Sequence, residues 1–196
     1  MKEKVIIFDG TNLDGFSRQW GGDVAWTLHD GYMTVPKGGG NIYSKYEFGD
    51  AHLHVEFNLP YMPDKEGQER ANSGVYVHGC YEVQVLDSSM RDAPNNSDCG
   101  AIYNIAAPIT NACIGADVWQ TYDIFIRAAK LNEDGSVASN AVITVLLNGK
   151  VIHNNFTLPT NTPGGLYKTV VEKGPVLLQD HGDPVSYRNI WVQPLD

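Results

Sequence analysis

The chain has 196 residues, of which 42% are hydrophobic and 19% are charged, as in ordinary globular proteins. Its formal net charge of -9 argues against a nucleic acid partner, because phosphate binding needs clustered Lys and Arg. No apolar stretch is long enough to cross a bilayer, so we expect no membrane partner either. The length fits a single domain that spans residues 1–196.

The N-terminal segment does not have the pattern of a secretory signal. The apolar run at residues 5–8 is too short, and a turn follows it instead of a small-residue cleavage site. The chain as written is therefore expected to be cytoplasmic. A protein from which a signal had been trimmed would instead be periplasmic or secreted, and the sequence leaves the oligomeric state open.

The cysteines indicate neither a zinc site nor a complete disulfide framework. Cys80, Cys99 and Cys113 are odd in number and form no C-x-x-C pair, so at least one thiol is expected to be free or to pair outside the chain. No H-E-x-x-H spacing appears, and we expect no cofactor and no catalytic metal. A structural calcium ion held by carboxylates and backbone oxygens is left open.

In chain order, the first predicted element is a hairpin over residues 26–35, with its turn at Asp-Gly. Residues 52–59 follow as a half-buried strand with strict alternation of polar and apolar positions. His54, Glu56 and Asn58 share one face of that strand. If the strand lies near the one that carries Glu82, the two polar faces form a continuous groove.

The most unusual predicted strand covers residues 79–87, directly after a strand at residues 73–78. In it Glu82 and Gln84 point one way, while the intervening valines point into apolar packing. Asp87 joins the Glu82 side only if the strand contains a bulge, a feature that is common beside active sites. An ordinary solvated face of an antiparallel sheet is the alternative interpretation of these polar residues.

The C-terminal half continues the strand pattern. Residues 122–128 fit a half-buried strand, and residues 143–152 fit a hairpin whose Asn148 and Gly149 suit a type I′ turn. Near the end, His181 and Arg188 again lie on β-prone, largely apolar segments. Two strands with polar residues among apolar ones indicate a functional site more strongly than one such strand does.

The predicted fold class is all-β, a sandwich or jelly roll of two antiparallel sheets, because many short strands alternate with turns about every ten residues. Long connections on the rim of a rigid sheet often carry function. Four connections are longer than sandwich turns require: residues 60–72, 88–100, 104–117 and 159–174.

Several motifs in order along nearly the whole chain resemble those of the 3-keto-disaccharide hydrolase family. They are FDGTNLDGF at 8–16, NSGVY at 72–76, YEVQVLD at 81–87, GAIY at 100–103, WQTY at 119–122, LNG at 147–149 and LQDHG through RNI at 178–190. The resemblance implies a concanavalin A-like lectin/glucanase jelly roll that holds sugar on its concave face. It also implies cleavage of glycosides already oxidised at C3. The loop at 60–71 is longer and more charged than that pattern.

A conventional glycosidase uses two carboxyl groups, for which Glu82 and Asp87 are the candidates. The amide of Gln84 stands where glucanases of this fold carry a middle carboxylate, which weakens that interpretation. A 3-keto sugar offers another route, because the ketone acidifies the proton on C2 and the C1 oxygen then leaves by elimination. Water adds to the unsaturated product, so the net reaction is hydrolysis.

Elimination needs a base with a pKa near the working pH and a donor for the developing enolate. His181 is the candidate base or proton shuttle, and Arg188 is the candidate enolate or sugar-oxygen donor. Glu82 is expected to orient hydroxyls or share the proton transfer. The expected substrate-binding residues are Asn72, Gln84, Asp87, Tyr103 and Gln179.

Structural roles compete with these assignments. His181 also fits a turn cap before Gly182, Arg188 also fits a structural ion pair with Asp180 or Glu82, and Tyr103 also fits the core. At the level of function, the expected partner is an oligosaccharide or glycoside. A non-catalytic carbohydrate-binding module and a glucanase-type hydrolase are the alternatives to the 3-keto-glycoside enzyme.

Overall fold

The computed structural model describes residues 2–195, and nearly all of its regular structure is β-strand. Eight strands form the larger sheet: β1 (Val5–Phe8), β3 (Thr27–Leu28), β4 (Met33–Thr34), β6 (Ala51–Asn58), β9 (Trp119–Arg127), β12 (Val142–Leu147), β13 (Lys150–Thr157) and β15 (Ser186–Pro194). Five strands form the smaller sheet: β2 (Phe16–Arg18), β5 (Ile42–Phe48), β7 (Ser73–Val77), β8 (Tyr81–Val85) and β14 (Gly174–Leu178). A separate two-stranded ribbon comprises β10 (Lys130–Leu131) and β11 (Val137–Ser139).

Every strand pair is antiparallel. The larger sheet runs β13-β12-β9-β6-β15-β4-β3, with β1 also paired to β15, and the smaller sheet runs β2-β5-β14-β7-β8. Hairpin neighbours such as β12 and β13 alternate with neighbours from distant parts of the chain, such as β6 with β15 and β5 with β14, as in a jelly roll. The predicted all-β, concanavalin A-like sandwich is therefore confirmed.

One core lies between the sheets and follows from alternation along each strand. On β6 the side chains of Leu53, Val55 and Phe57 are fully buried, whereas the residues between them are partly exposed. On β8 the side chains of Val83 and Val85 join the same core. Tyr81 belongs to this core as well. Because side chains alternate, Glu82 and Gln84 project from the outer face of the smaller sheet.

The predicted hairpins are confirmed. Strands β3 and β4 pair around the first turn, with Leu28 opposite Met33. Strands β12 and β13 pair around the second, where Asn148 and Gly149 have φ angles of 52° and 75°. These positive angles match the type I′ turn expected from the sequence.

Two other expectations are wrong. The polar face of β6 does not continue the polar face of β8, because the two strands belong to different sheets. Strand β8 also contains no bulge, since it pairs with β7 in unbroken register from Tyr81 to Val85. The carboxylate of Asp87 is therefore not turned to the Glu82 side in the way that the sequence suggested.

The described residues contain one short 3-10 helix, Gly67–Glu69, in the first of the long connections. No helix among residues 2–195 is long and apolar enough to cross a membrane. Cys80, Cys99 and Cys113 are all buried free thiols, in agreement with the absence of a disulfide framework.

Replacing Asn148 by Ala should lower the free energy of unfolding by about 2 kcal/mol, measured by urea denaturation. The side chain accepts a hydrogen bond from the backbone N–H of Thr121 at 2.9 Å and donates one to the carbonyl of Ala112 at 2.9 Å. Ala would lose these two bonds and a third, from Asn148 Nδ2 to Gln120 Oε1 at 3.1 Å, and it tolerates the left-handed backbone less well. Lys150→Ala, at the exposed end of the same turn, is the control and should change stability little. Equal effects of the two substitutions would contradict the assignment.

Candidate active site

The outer face of the smaller sheet carries the unusual polar residues of β8. In the register of β7 and β8, Glu82 lies opposite Tyr76 and Gln84 lies opposite Gly74. The valines on either side of Tyr76 point into the core, so Tyr76 and Glu82 both face outward. Yet the Glu82 residue is only 2% exposed, because loops cover this face.

Two segments cover the outer edge of β8. The hydroxyl of Thr162 accepts a hydrogen bond from the Glu82 backbone N–H at 2.8 Å. The segment 100–103 runs beside the strand, and the N–H of Tyr103 donates to the Glu82 carbonyl at 3.1 Å. These backbone contacts bring the side chain of Tyr103 to the same end of the sheet as Glu82.

Together the strands and loops enclose a cavity of about 150 Å³ over the Glu82 side chain. Its lining residues are Gln68, Asn72, Tyr76, Glu82, Gln84, Tyr103, Pro163, Gly164, Gln179 and His181. Apart from Pro163 and Gly164, the lining residues contribute amides, phenols, one imidazole and one carboxyl group. Hydrogen-bonding groups around a small concave site are what recognition of a polyhydroxylated ligand requires.

Glu82 has the chemical properties of a general base. Burial raises the pKa of its carboxyl group to about 7, although the hydrogen bond from Tyr76 opposes this shift. The Tyr76 hydroxyl donates to Glu82 Oε2 at 2.8 Å, and burial next to this carboxyl raises the pKa of Tyr76 well above its usual value. Tyr76 therefore stays protonated and fixes the carboxyl group in one orientation.

Gly74 makes room for that carboxyl group. A Cβ atom on Gly74 would lie 2.5 Å from Glu82 Oε1 and 3.1 Å from its Cδ, closer than atoms in contact approach. The backbone of Gly74 has no positive φ, so space and not conformation explains the glycine here. Any larger residue would push Glu82 toward the cavity or the sheet edge.

Two polar groups in the cavity retain free hydrogen-bonding capacity. Gln179 donates through Nε2 to the Tyr76 hydroxyl at 3.2 Å, but its buried Oε1 has no partner among the described residues. The hydroxyl of the half-buried Tyr103 likewise forms no hydrogen bond with another residue in the range 2–195. A buried acceptor without a partner costs stability, which a ligand hydroxyl would recover on binding.

The other amides are oriented by their neighbours. Asn72 donates through Nδ2 to the carbonyl of Gln68 at 2.8 Å, and its backbone N–H donates to Asp183 Oδ2 at 2.8 Å. Gln84 donates through Nε2 to Gln68 Oε1 at 3.1 Å. Gln68 therefore connects two of the amides that the sequence had suggested for substrate binding.

His181 lies at the mouth of the cavity and is exposed to solvent. The preceding residue, Asp180, fixes this turn, because its carboxylate accepts hydrogen bonds from the N–H groups of Gly40 at 2.7 Å and Gly182 at 2.9 Å. An imidazole between a buried carboxyl group and bulk water is placed to relay protons.

Six of the eight candidate residues thus line one cavity: Asn72, Glu82, Gln84, Tyr103, Gln179 and His181. Asp87 does not, because its carboxylate pairs with Arg70 Nε at 2.9 Å just beyond the end of β8. Arg188 does not either, because it lies on β15 of the other sheet. There its Nε donates to Glu56 Oε2 at 2.6 Å, and its guanidinium lies 4.1 Å from the centre of the Trp119 ring. The expectation that Arg188 faces Glu82 is corrected accordingly.

Sequence reasoning missed Gln68, Gly74 and Tyr76. The signal for Tyr76 was present, because a hairpin centred on Gly79 places positions 76 and 82 directly opposite each other. No comparable signal marks Gln68, which reaches the site from a long loop. Within residues 2–195, no group of three or more His, Cys, Asp or Glu side chains is arranged to hold a metal ion.

A two-sheet jelly roll with a buried carboxyl group under a polar, amide-lined cavity defines a class of carbohydrate-active β-sandwich proteins. The family model of the 3-keto-alpha-glucoside-1,2-lyase-like domain matches residues 3–193. The chain belongs to this family, as its motifs suggested. No curated protein matches the sequence.

Solved structures agree with this placement. The chain is 37% identical to a Parabacteroides distasonis protein that carries the provisional name of glycosyl hydrolase, with a TM-score of 0.90 over 98% of this chain and 84% of that chain. A second protein of that organism, with the same provisional name, is 16% identical, with a TM-score of 0.73 over 98% and 94% of the chains. A variant of the alginate lyase Aly36B in complex with alginate trisaccharide is 10% identical, with a TM-score of 0.53 over 100% and 99%.

The last two similarities show the fold alone. Family membership and the 37% identical relative together support a carbohydrate-active, glycoside hydrolase-like role for the chain.

Glu82→Gln should gain stability relative to the wild type as the pH rises. In the folded protein the pKa of Glu82 is about 7, above its ordinary value of 4.5. Between these two pH values the carboxyl group ionises in the unfolded chain but stays protonated in the folded protein, so the free energy of unfolding falls as the pH rises. The difference in unfolding free energy between variant and wild type should grow by about 3 kcal/mol from pH 4 to pH 8. Denaturant titrations at several pH values measure it. A difference that does not change with pH would show that Glu82 is not buried as described.

Proposed function

We propose that this protein cleaves 3-keto-glycosides by removing the proton on C2 and eliminating the group on C1. The observation that carries the proposal is the buried Glu82 carboxyl group, whose pKa of about 7 is suited to a base at neutral pH. The proton on C2 is acidic only because the neighbouring C3 is a ketone. A base of this strength is therefore sufficient without a second carboxylate or an activated water.

In the first step, ionised Glu82 takes the C2 proton, and the C–H electron pair forms an enolate across C2, C3 and the ketone oxygen. The enolate then re-forms the ketone, a double bond develops between C1 and C2, and the bond from C1 to the glycosidic oxygen breaks. That oxygen leaves with the electron pair and takes up a proton. His181, at the exposed mouth, is the group placed to supply it.

Hydrolysis is completed by addition of water. Water adds to C1 of the unsaturated ketone and gives its second proton to His181, which had lost its own proton to the leaving oxygen. Protonated Glu82 returns a proton to C2, so the carboxyl group ends the cycle ionised. If the unsaturated product leaves first, the same site acts as a lyase. The family description, a 1,2-lyase-like domain for 3-keto-alpha-glucosides, supports elimination across C1 and C2.

The roles of the remaining lining residues follow from the polar atoms that have no hydrogen-bonding partner and from the side chains that are held in place. Tyr103 replaces Arg188 as the enolate donor, because its hydroxyl is unpaired and faces the cavity that contains Glu82. The unpaired Oε1 of Gln179 accepts a hydrogen bond from a sugar hydroxyl. Asn72 and Gln84, fixed by Gln68, form the polar wall against which the ring is oriented.

A glucanase-type mechanism fits the geometry less well. It requires a second carboxyl group about 5 to 9.5 Å from the first, on the other side of the glycosidic bond. Among the lining residues, all within 2–195, Glu82 supplies the one carboxyl group, and Asp87 is held by Arg70 outside the cavity. A pure binding module would have no use for a carboxyl group whose pKa is raised by burial.

The reaction route is tested by incubating the protein in deuterated water with a 3-keto-glucoside and with its unoxidised parent. We expect cleavage of the keto sugar alone, with deuterium at C2 of the released 3-keto-glucose detected by mass spectrometry. Cleavage of the parent without exchange would favour a two-carboxylate hydrolase. Absence of turnover of either sugar, combined with measurable binding, would favour the binding module.

The rate constant kcat/KM should rise with pH through a midpoint near 7, because Glu82 must be ionised to act as the base. Glu82→Gln should lower kcat by about 10²-fold to 10⁴-fold while sugar affinity is retained. Arg188→Ala is the matched control and should keep most of the activity. A loss of kcat in Arg188→Ala as large as that in Glu82→Gln would restore the original assignment of Arg188.

A further inference from the structure

A concavity that the proposed reaction does not use lies on the same sheet face as Glu82. It is a cleft of about 720 Å³ at the other edge of the smaller sheet. The residues that line it are 16–24, Tyr43, Lys45 and Leu166. None of these residues lines the cavity over Glu82.

The register of the smaller sheet relates the cleft to the Glu82 cavity. Across the five strands, Ser17, Tyr43, Leu177, Tyr76 and Glu82 are successive cross-strand partners, so their side chains share the outer face. With about 4.8 Å between neighbouring strands, three strand spacings put Tyr43 about 14 Å from Glu82. One sugar ring in the cavity does not reach that far, whereas a chain of two or three linked rings does.

A single loop separates the two concavities. Gly164 lines the cavity, and Leu166, two residues later, lines the cleft. The loop is fixed to the sheet, since the N–H of Leu166 donates to the carbonyl of Gly79 at 2.7 Å and the Tyr167 hydroxyl donates to Glu47 Oε1 at 3.1 Å. A ligand that leaves the cavity over this loop enters the cleft.

Trp20 is the most unusual residue of the cleft. Its side chain is 89% exposed, and its backbone is left-handed, with a φ of 67°. The two following glycines, Gly21 and Gly22, also have positive φ, and the N–H of Gly21 closes the turn on the carbonyl of Arg18 at 3.1 Å. Trp20 therefore has two unfavourable features: an apolar ring exposed to water and a backbone conformation that non-glycine residues rarely adopt. A ligand that stacks on the indole ring would account for both.

The charged groups of the cleft indicate which kind of ligand this is. Among the described residues, no salt bridge involves Arg18, Lys45 or Asp23, and Asp23 has no hydrogen-bonding partner there either. Two donors, an acceptor and the Tyr43 hydroxyl around an exposed indole match the alternating hydroxyls and C–H face of a neutral sugar. They match an anion less well, because Asp23 and the net charge of -9 would repel it.

We propose that the cleft around Trp20 is a second sugar-binding subsite, which holds a remote, uncharged ring of the leaving group while the 3-keto ring occupies the Glu82 cavity. This inference rests on the proposed function for the identity of the ring in the cavity. The preferred substrates are accordingly glycosides of three or more rings, with the oxidised ring at the end.

The test compares glucose oligosaccharides of two to five rings, with the terminal ring oxidised at C3, in steady-state kinetics. For the wild type, KM should fall as rings are added, and Trp20→Ala should raise KM for the five-ring substrate about tenfold, the loss of one aromatic contact. In Lys45→Ala, KM should fall less steeply with added rings than in the wild type. Lys150→Ala, on the other sheet, is the control and should keep the dependence on chain length.

A second measurement separates failure of this subsite from failure of the proposed reaction. Glu82→Gln, with and without Trp20→Ala, is titrated calorimetrically with the unoxidised oligosaccharides, so that binding is measured without turnover. Affinity that increases with ring number only when Trp20 is present supports the subsite even if no keto sugar is cleaved. Affinity and KM that are independent of ring number, or a dependence that Trp20→Ala leaves intact, would overturn it.

Discussion

Burial of one carboxyl group on the outer face of a sheet is the constraint on which the rest of the site depends. Glu82 occupies a strand position that alternation directs away from the core, where water would ordinarily solvate it. The loops remove that water, and the resulting cost of ionisation gives the carboxyl group its basicity. Gly74 provides space, Tyr76 provides orientation, and Thr162 satisfies the backbone. Each of these neighbours is explained by the need to hold one buried acid.

The two sheets show why polar residues on strands are an ambiguous signal. On the larger sheet Asp123 accepts hydrogen bonds from His52 and His54, both at 2.8 Å, which hold the pKa of Asp123 well below its usual range. Glu56 and Arg188 pair beside them. The polar groups of this network form hydrogen bonds and ion pairs with one another, so a structural role explains them. Over Glu82, by contrast, an amide oxygen and a phenol are left without partners, and that unpaired capacity distinguishes a ligand site from a stabilised surface.

The sequence predicted several of the strands, both hairpins and most of the cavity residues because these depend on local information, whereas β5 (Ile42–Phe48) was not predicted. Alternation determines the face of a strand, and Asn148 with Gly149 determines a turn. The sequence did not predict the neighbours of each strand, so Arg188 was proposed to act with Glu82 although its strand, β15, lies in the other sheet. Asp87 was misplaced for a related reason, since the ion pair with Arg70 depends on a loop that alternation does not describe. Gln68 was missed because no sequence pattern in a long loop indicates which of its side chains contact the sheet.

Strand β8 is at the end of its sheet, and such strands expose unpaired backbone groups to which another chain can add. Here the N–H of Glu82 is taken by Thr162, and the segment 100–103 occupies the neighbouring groups. The same contacts that bring Tyr103 to the Glu82 cavity therefore cover a strand edge to which another chain could otherwise add. In this fold, protection of the sheet edge and formation of the cavity over Glu82 depend on the same few hydrogen bonds, so a mutation that changes one is expected to change the other.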